Sequence, residues 1–264
     1  MTCELVTTGW YASDEARTYE TAGDDLIRGA NFRPLWWQSV DSFIKPRHVF
    51  IVDSASPIKP NDAAWTATKF QHLELLINPG HSRNAKTHYC GWMASMIMGL
   101  EFALNNDVEM FVYVEQDVLV FGDKIIEKAK NALRRKDLVF GSGTSVDIQQ
   151  SFVAANKKGI RRFLSALHAI DYTDKQMAPE HKFMFAASRF LPSPVMRMAE
   201  FTQIAKLRRA GLIGFSLVCA LSKNYAVLPF GYGRLRPINF NDEEFYFQHG
   251  SAAEIQQYKN LTGF

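Results

Sequence analysis

The sequence predicts an α/β fold in which a mostly parallel sheet is flanked by helices. The chain has 264 residues and 47% of them are hydrophobic, which is enough to bury the core of one large domain. Over residues 1–145, strand-like runs alternate with helix-like segments, and strands that alternate with helices usually pair in parallel. The pattern over residues 146–264 is less regular. We therefore expect a single domain over residues 1–264, with a regular first half and an irregular second half.

The first half contains eight predicted elements. Apolar and β-branched runs predict strands at 3–10, 48–56, 73–78, 110–121 and 137–143. Apolar residues at helical spacing predict helices at 32–44, 86–104 and 124–135. Two elements are clear in the second half, a helix near 159–170 and a strand in "NYAVLPF", residues 224–230.

Composition excludes several classes of protein. The net charge is +3, and the short basic runs are typical of solvated helix faces, so we expect no nucleic-acid partner. The longest apolar run, 211–221, is about half of the roughly 20 residues that a spanning helix needs, so we expect no transmembrane segment. Cys3, Cys90 and Cys219 show neither metal spacing nor a disulfide framework. The sequence therefore favours a cytoplasmic location and leaves peripheral association with a membrane open.

Two carboxylates interrupt the apolar run at 110–121. Glu115 and Asp117 are two residues apart, so in a strand both would project from one face near its carboxyl end. Two close carboxylates repel unless a cation lies between them. A divalent ion, Mn²⁺ or Mg²⁺, could occupy that place and bridge the diphosphate of a sugar nucleotide. The alternative is that these carboxylates cap a turn or pair with an arginine.

The surrounding segment resembles a known family. Residues 78–117, "NPGHSRNAKTHYCGWMASMIMGLEFALNNDVEMFVYVEQD", look like the middle of a GT-A type glycosyltransferase, which has a Rossmann-like sheet and an acidic triplet, usually Asp-x-Asp. Here the triplet is Glu115-Gln116-Asp117. The resemblance implies that Asp117 is a metal ligand, and that Glu115 lies near the donor ribose or the water shell of the metal.

A second element of the resemblance lies near the end of the chain. "FGYGRLRPINFNDEEFYFQHG", residues 230–250, contains His249, and many members of the family supply a late histidine as a further metal ligand. An imidazole beside carboxylate oxygen suits Mn²⁺. A lone histidine is otherwise more often an ordinary core or surface residue. The resemblance implies that residues 1–145 bind the nucleotide sugar and that 146–264 bind the acceptor and complete the metal site.

The resemblance also implies a set of donor-binding residues. Thr7 and Thr8, which we place at the end of the first strand, and Asp53, at the end of the second, would surround the nucleotide base and ribose. Asp53 could instead cap a turn.

Phosphate ligands are implied at two places. Arg83, Asn84 and Lys86 precede the helix predicted at 86–104, whose first N–H groups suit phosphate. Arg234 and Arg236 in "GYGRLRP" could grip phosphate with paired donors. The alternative for all five is a solvated surface.

An inverting glycosyl transfer needs a general base for the acceptor hydroxyl. We predict Glu180, which lies in the acceptor half beside Phe183 and Phe185, two rings that could form an apolar platform for a sugar. The alternative is that Glu180 only begins a helix after Pro179, where acids are favoured. A retaining enzyme would need no such base.

The predicted function is metal-dependent transfer of a sugar from a nucleotide-diphosphate donor to a carbohydrate or other hydroxyl acceptor. Two alternatives stay open. A sugar-nucleotide nucleotidyltransferase has a similar sheet, but it opens with a Gly-rich basic loop, whereas "TTGWYASDEAR" has one glycine. A non-catalytic carbohydrate-binding protein with a degenerate site would explain Glu in place of the usual first Asp.

Overall fold

A computed structural model describes residues 3–13, 25–29, 31–59, 69–142, 148–188 and 221–264, together with 214 and 217. Its strands are β1 (Cys3–Trp10), β2 (Pro46–Asp53), β3 (Phe70–Glu74), β4 (Met110–Val114), β5 (Val118–Phe121), β6 (Leu138–Gly141), β7 (Gln149–Asn156), β8 (Tyr225–Val227) and β9 (Phe245–Gln248). Its α-helices are α1 (Phe32–Phe43), α2 (Gly91–Asn105), α3 (Ile125–Leu133), α4 (Lys157–His168), α5 (Pro179–Ala186) and α6 (Ala252–Thr262).

Seven of the strands form one sheet in the order β3-β2-β1-β4-β7-β6-β8. Strands β3, β2, β1 and β4 pair in parallel, β7 is antiparallel to both of its neighbours, and β6 pairs in parallel with β8. Strands β5 and β9 form a separate antiparallel pair. The predicted α/β fold with a mostly parallel sheet is confirmed.

Helices cover both faces of the sheet. One hydrophobic core contains buried residues of α2, α4 and α5 and includes Phe111 and Tyr113 of β4. The other contains buried residues of α1, α3 and α6 and includes Val112 and Val114 of the same strand. Because side chains alternate along a strand, the fully apolar β4 serves both cores.

The strand predicted at 110–121 is wrong in one respect that matters for function. It divides into β4 and β5, which belong to different sheets. The amide of Val118 donates to the carbonyl of Glu115 at 3.0 Å, which closes a turn between the two strands. Glu115 and Asp117 therefore lie in a turn and not on one face of a continuous strand.

Other boundaries also differ from the predictions. Strand β3 covers Phe70–Glu74 and not 73–78. Helix α2 begins at Gly91 with Cys90 as its N-cap, because the preceding residues form a loop with a short 3-10 turn over Ser82–Asn84. The apolar run at 211–221 lies outside the described residues except for 214, 217 and 221. In the part of the chain that is described, no helix combines the length and apolarity needed to cross a bilayer.

Candidate active site

The turn at 115–117 is fixed to the carboxyl end of β1. Gln116 accepts from the amide of Tyr11 at 2.6 Å and donates to the carbonyl of the same residue at 3.1 Å. The indole N–H of Trp36 donates to the carbonyl of Glu115 at 3.1 Å. Both acidic side chains are therefore presented by a backbone that is tied to β1 and α1.

Asp117 meets His249 across this turn. Strands β5 and β9 are antiparallel, and Val118 lies opposite Gln248, so the residue after β9 arrives beside the residue before β5. His249 Nε2 lies 3.1 Å from Asp117 Oδ2, and the two side chains are 13% and 5% exposed. The structure thus brings together the two residues that sequence reasoning placed at a metal, although 132 positions separate them.

The backbone of His249 is held in an unusual conformation. Its φ is +57°, a region that costs a non-glycine residue about 1–2 kcal/mol. Arg236 donates to the carbonyls of Gln248 and His249 at 2.8 and 3.1 Å, and its Nε pairs with Glu254 at 2.5 Å. Strain of this kind concentrates at functional sites.

Arg236 itself does not match the prediction that it binds phosphate. Its remaining nitrogen, Nη1, donates to the carbonyls of Leu235 and Gly233. Each guanidinium nitrogen therefore already has an acceptor in the protein, and the residue orients the end of β9.

A second polar chain runs beside the Asp117–His249 pair. Gln248 is fully buried and donates to Glu115 Oε2 at 2.6 Å. Its Oε1 accepts from Arg234 Nε at 3.3 Å. Arg234 is exposed, and its Nη atoms meet no acceptor within the described residues. Sequence reasoning assigned no role to Gln116 or Gln248. For Gln248, the available signal was that a polar pair ends the aromatic run "FYFQH".

The donor set fits a hard divalent ion. Two ligands about 2.1 Å from one octahedral ion, at right angles, are about 3.0 Å apart, which is close to the 3.1 Å between Asp117 and His249. His249 Nδ1 is buried and has no hydrogen-bond partner in the described part of the chain. The described residues contain no group of three or more His, Cys, Asp or Glu suited to a metal, so within them Asp117 and His249 are the two candidate ligands.

The structure does not support Thr7 and Thr8 as donor ligands. Strand β1 does not end there, because Gly9 and Trp10 continue the pairing with β2. Both threonines are fully buried, and Thr7 packs against Gly99 of α2. Asp53 does end β2 as predicted.

Asp53 has the geometry of a turn cap. Its Oδ1 accepts from the amide of Ser56 at 2.6 Å and lies 3.5 Å from Lys59 Nζ. Its proposed contact with a nucleoside stays a prediction.

The start of α2 is already occupied. The amide of Cys90 donates to Asp174 at 2.6 Å, so a carboxylate already lies at this helix start, and the phosphate contact predicted there stays a prediction. Arg83, Asn84 and Lys86 lie on the exposed loop before it, where the side chain of Asn84 accepts from the amide of His81 at 2.9 Å.

Tyr113 links the strands behind this loop. Its hydroxyl accepts from the amide of Gly9 at 3.3 Å and lies 2.9 Å from the hydroxyl of Ser95. Burial raises the pKa of Tyr113 well above its usual range, and the nearby charge of Glu115 raises it further. The phenol therefore stays neutral and serves to join β1, β4 and α2.

Glu180 lies in the first turn of α5, after Pro179. Its Oε1 accepts from Gln150 Nε2 at 3.1 Å. The residue after Gln150, Ser151, accepts from the amide of Glu115 at 3.0 Å. Glu180 is therefore linked through β7 to the turn that carries the acidic pair.

The apolar platform predicted beside Glu180 is not present. Phe183 and Phe185 are 0% and 4% exposed. Phe183 packs on Trp92, Phe140 and Phe163, because the helix turns these rings into the core and leaves Glu180 at the edge.

No family model and no curated protein matches this chain. Solved structures give partial likenesses. S. aureus TarS 1–349 in complex with UDP is 10% identical, with a TM-score of 0.49 over 98% of this chain and 64% of that one. The mannosyltransferase PcManGT from Pyrobaculum calidifontis, in complex with GDP-Man and Mn²⁺, is 14% identical, with a TM-score of 0.45 over 82% and 67%.

A third likeness comes from another class of enzyme. The 4-diphosphocytidyl-2C-methyl-D-erythritol synthase from Anaerococcus prevotii is 14% identical, with a TM-score of 0.39 over 66% of this chain and 80% of that one. This chain spans just under two thirds of the TarS structure. All three scores are below 0.5, so we base the functional proposal on the residues of this chain.

Proposed function

We propose that the protein is a metal-dependent glycosyltransferase that moves a sugar from a nucleotide-diphosphate donor to a hydroxyl of a carbohydrate acceptor. The observation that carries the proposal is the contact between Asp117 and His249 at the carboxyl end of β4. Ligands of open α/β sheets bind at that edge. A divalent ion held there, Mn²⁺ or Mg²⁺, supplies charge neutralisation for the departing nucleoside diphosphate.

The residues around this pair have complementary roles. Asp117 and His249 would hold the metal, and Gln248 keeps Glu115 in place through the 2.6 Å hydrogen bond. Arg234 is anchored by its Nε on Gln248, which leaves the outer end of its guanidinium to donate to phosphate. Arginine recognises phosphate with paired donors, so Gln248 positions both Glu115 and this cation.

Glu180 is the proposed general base. The hydrogen bond from Gln150 engages one carboxylate oxygen of Glu180 and leaves the other to accept the proton of the acceptor hydroxyl. This role is supported by the link through β7, because the amide of Glu115 donates to the carbonyl of Ser151, the residue after Gln150.

Product analysis tests the proposal. The purified protein is incubated with UDP- and GDP-sugars, with and without Mn²⁺, in the presence of a panel of free glycans. Release of nucleoside diphosphate that requires the metal supports a glycosyltransferase. Release of pyrophosphate from a nucleoside triphosphate and a sugar 1-phosphate would instead identify a nucleotidyltransferase, and glycan binding without any turnover would identify a non-catalytic protein.

A further inference from the structure

An exposed apolar pair follows the edge strand β3. Leu76 is 101% exposed and Ile77 is 52% exposed. The amide of Leu75 donates to the carbonyl of Asp53 at 2.8 Å, which anchors the chain immediately before the pair. Single exposed leucines are common on protein surfaces, but here two consecutive large apolar side chains project from one anchored loop.

Two cations lie in the same loop. The amide of Lys86 donates to the carbonyl of Pro79 at 2.8 Å. Pro79 lies two residues after Ile77, so this hydrogen bond folds the chain back towards the apolar pair. Arg83 and Lys86 are both exposed, and within the described residues neither forms an ion pair. Residues 75–100 contain no Asp or Glu, and Glu74, which precedes them, is paired with Lys59 at 2.5 Å.

The position of this apolar-basic loop relative to the candidate active site follows from the topology. Strands β3, β2, β1 and β4 are adjacent and parallel. The loop follows β3 and the turn at 115–117 follows β4, so both lie at the carboxyl edge of the sheet. Three strand spacings separate β3 from β4, which is about 14 Å.

We propose that Leu76, Ile77, Arg83 and Lys86 form a contact with an anionic lipid bilayer. The apolar pair enters the headgroup region, and the two cations lie against lipid phosphates. Charge complementarity favours this occupant, because an exposed apolar tip beside two cations that form no ion pair within the described residues matches the negative surface of such a bilayer. The proposal does not depend on the proposed function, although it would direct the carboxyl edge of the sheet towards the membrane.

Vesicle sedimentation tests the contact. The full chain is mixed with vesicles of phosphatidylcholine alone and with vesicles containing phosphatidylglycerol, at low and at high salt. We expect binding to the anionic vesicles that weakens with salt. The affinity of Leu76→Ser/Ile77→Ser for these vesicles should be at least tenfold lower. The affinity of Arg83→Ser/Lys86→Ser for anionic vesicles should fall about fivefold for each cation removed.

The matched control is Leu104→Ser/Leu261→Ser, which removes two leucines that are 37% and 41% exposed and lie outside the loop. It should bind as the parent does. The proposal is overturned if the parent ignores anionic vesicles, or if the Leu76/Ile77 variant binds them equally well. A dimer that dissociates in that variant, without vesicle binding, would assign the surface to a second copy. Ile77→Ser alone repeats the test if the double variant does not fold.

Discussion

Two buried carboxylates, Asp117 and Asp174, have opposite surroundings. Asp174 accepts from Lys182 and from the amide of Cys90, both at 2.6 Å, and Lys182 also donates to the carbonyl of Tyr172 at 2.5 Å. Asp117 instead meets His249, whose second ring nitrogen is buried without a partner in the described residues.

This difference distinguishes a structural ion pair from a candidate ligand site. The Asp174–Lys182 pair is almost completely buried, with side-chain exposures of 0% and 1%, and its contacts join the start of α2 to α5. An ion pair whose donors and acceptors are satisfied in this way holds elements together. His249 instead keeps a buried ring nitrogen with no hydrogen-bond partner in the described residues, on a strained backbone, which is typical of a ligand site.

Breaking the structural pair should have the largest effect. Lys182→Met leaves the charge of Asp174 buried without its partner, so we expect the free energy of unfolding to fall by about 3–5 kcal/mol. Urea denaturation followed by circular dichroism measures this loss. Lys175→Met is the control, because Lys175 is exposed on the same segment and its loss should cost little. An unchanged midpoint for Lys182→Met would mean that the pair contributes nothing to stability.

Asp117→Asn should weaken ligand binding and leave stability almost unchanged, which is the reverse of the effect of Lys182→Met. The substitution keeps the shape of the side chain but removes the charge that a cation needs, so we expect Mn²⁺-dependent affinity for UDP or GDP to fall about 100-fold. Calorimetric titration measures it, and the melting temperature should change little. The control is Asp123→Asn, at a side chain that is 78% exposed. Wild-type affinity in Asp117→Asn would remove this residue from the metal site.

Glu180→Gln tests the acceptor side of the same edge. The amide retains a group that can meet Gln150 but cannot take a proton, so turnover should fall by about 100-fold or more while donor affinity is unchanged. Initial rates and donor titrations separate the two quantities. Near-normal turnover, or a product with retained anomeric configuration, would exclude Glu180 as the base.

The sequence predicted most of the sheet because β2, β4 and β6 contain runs of apolar residues. It did not predict β7, whose segment "QQSFVAAN" begins with two amides and ends in small residues, or the four-residue β9. The turn between β4 and β5 was hidden because apolar residues continue on both sides of it. Hydrophobic pattern reports burial, and here buried residues of one sheet are followed after only three polar residues by buried residues of another.

Within the candidate site, the sequence identified ionisable residues but not the buried amide. Asp117 and His249 could be named in advance, and the structure places them in contact. Gln248 could not be named, since a buried amide has no distinctive spacing. Arg234 and Arg236 looked equivalent in "GYGRLRP", but backbone carbonyls and Glu254 satisfy Arg236, and no sequence pattern distinguishes an arginine that binds carbonyls from one that binds phosphate.

Gln248 offers the most sensitive test of the comparison, because it combines the burial of the structural pair with contacts in the candidate site. It is fully buried and satisfied, as Asp174 is, yet its partners are Glu115 and Arg234 of the candidate site. Gln248→Leu removes both hydrogen bonds and leaves Glu115 without its amide donor. We expect about tenfold weaker Mn²⁺-dependent nucleotide affinity, and a loss of about 1–3 kcal/mol in the free energy of unfolding.

Two further variants decide whether Gln248 acts by positioning the site. Gln256→Leu, at an exposed glutamine of α6, should change neither quantity. Arg234→Ala should weaken nucleotide binding in the parent but add little in the Gln248→Leu background, because the arginine has already lost its anchor. If the two losses instead add in full, Gln248 and Arg234 act independently, and Gln248 does not act by anchoring the arginine.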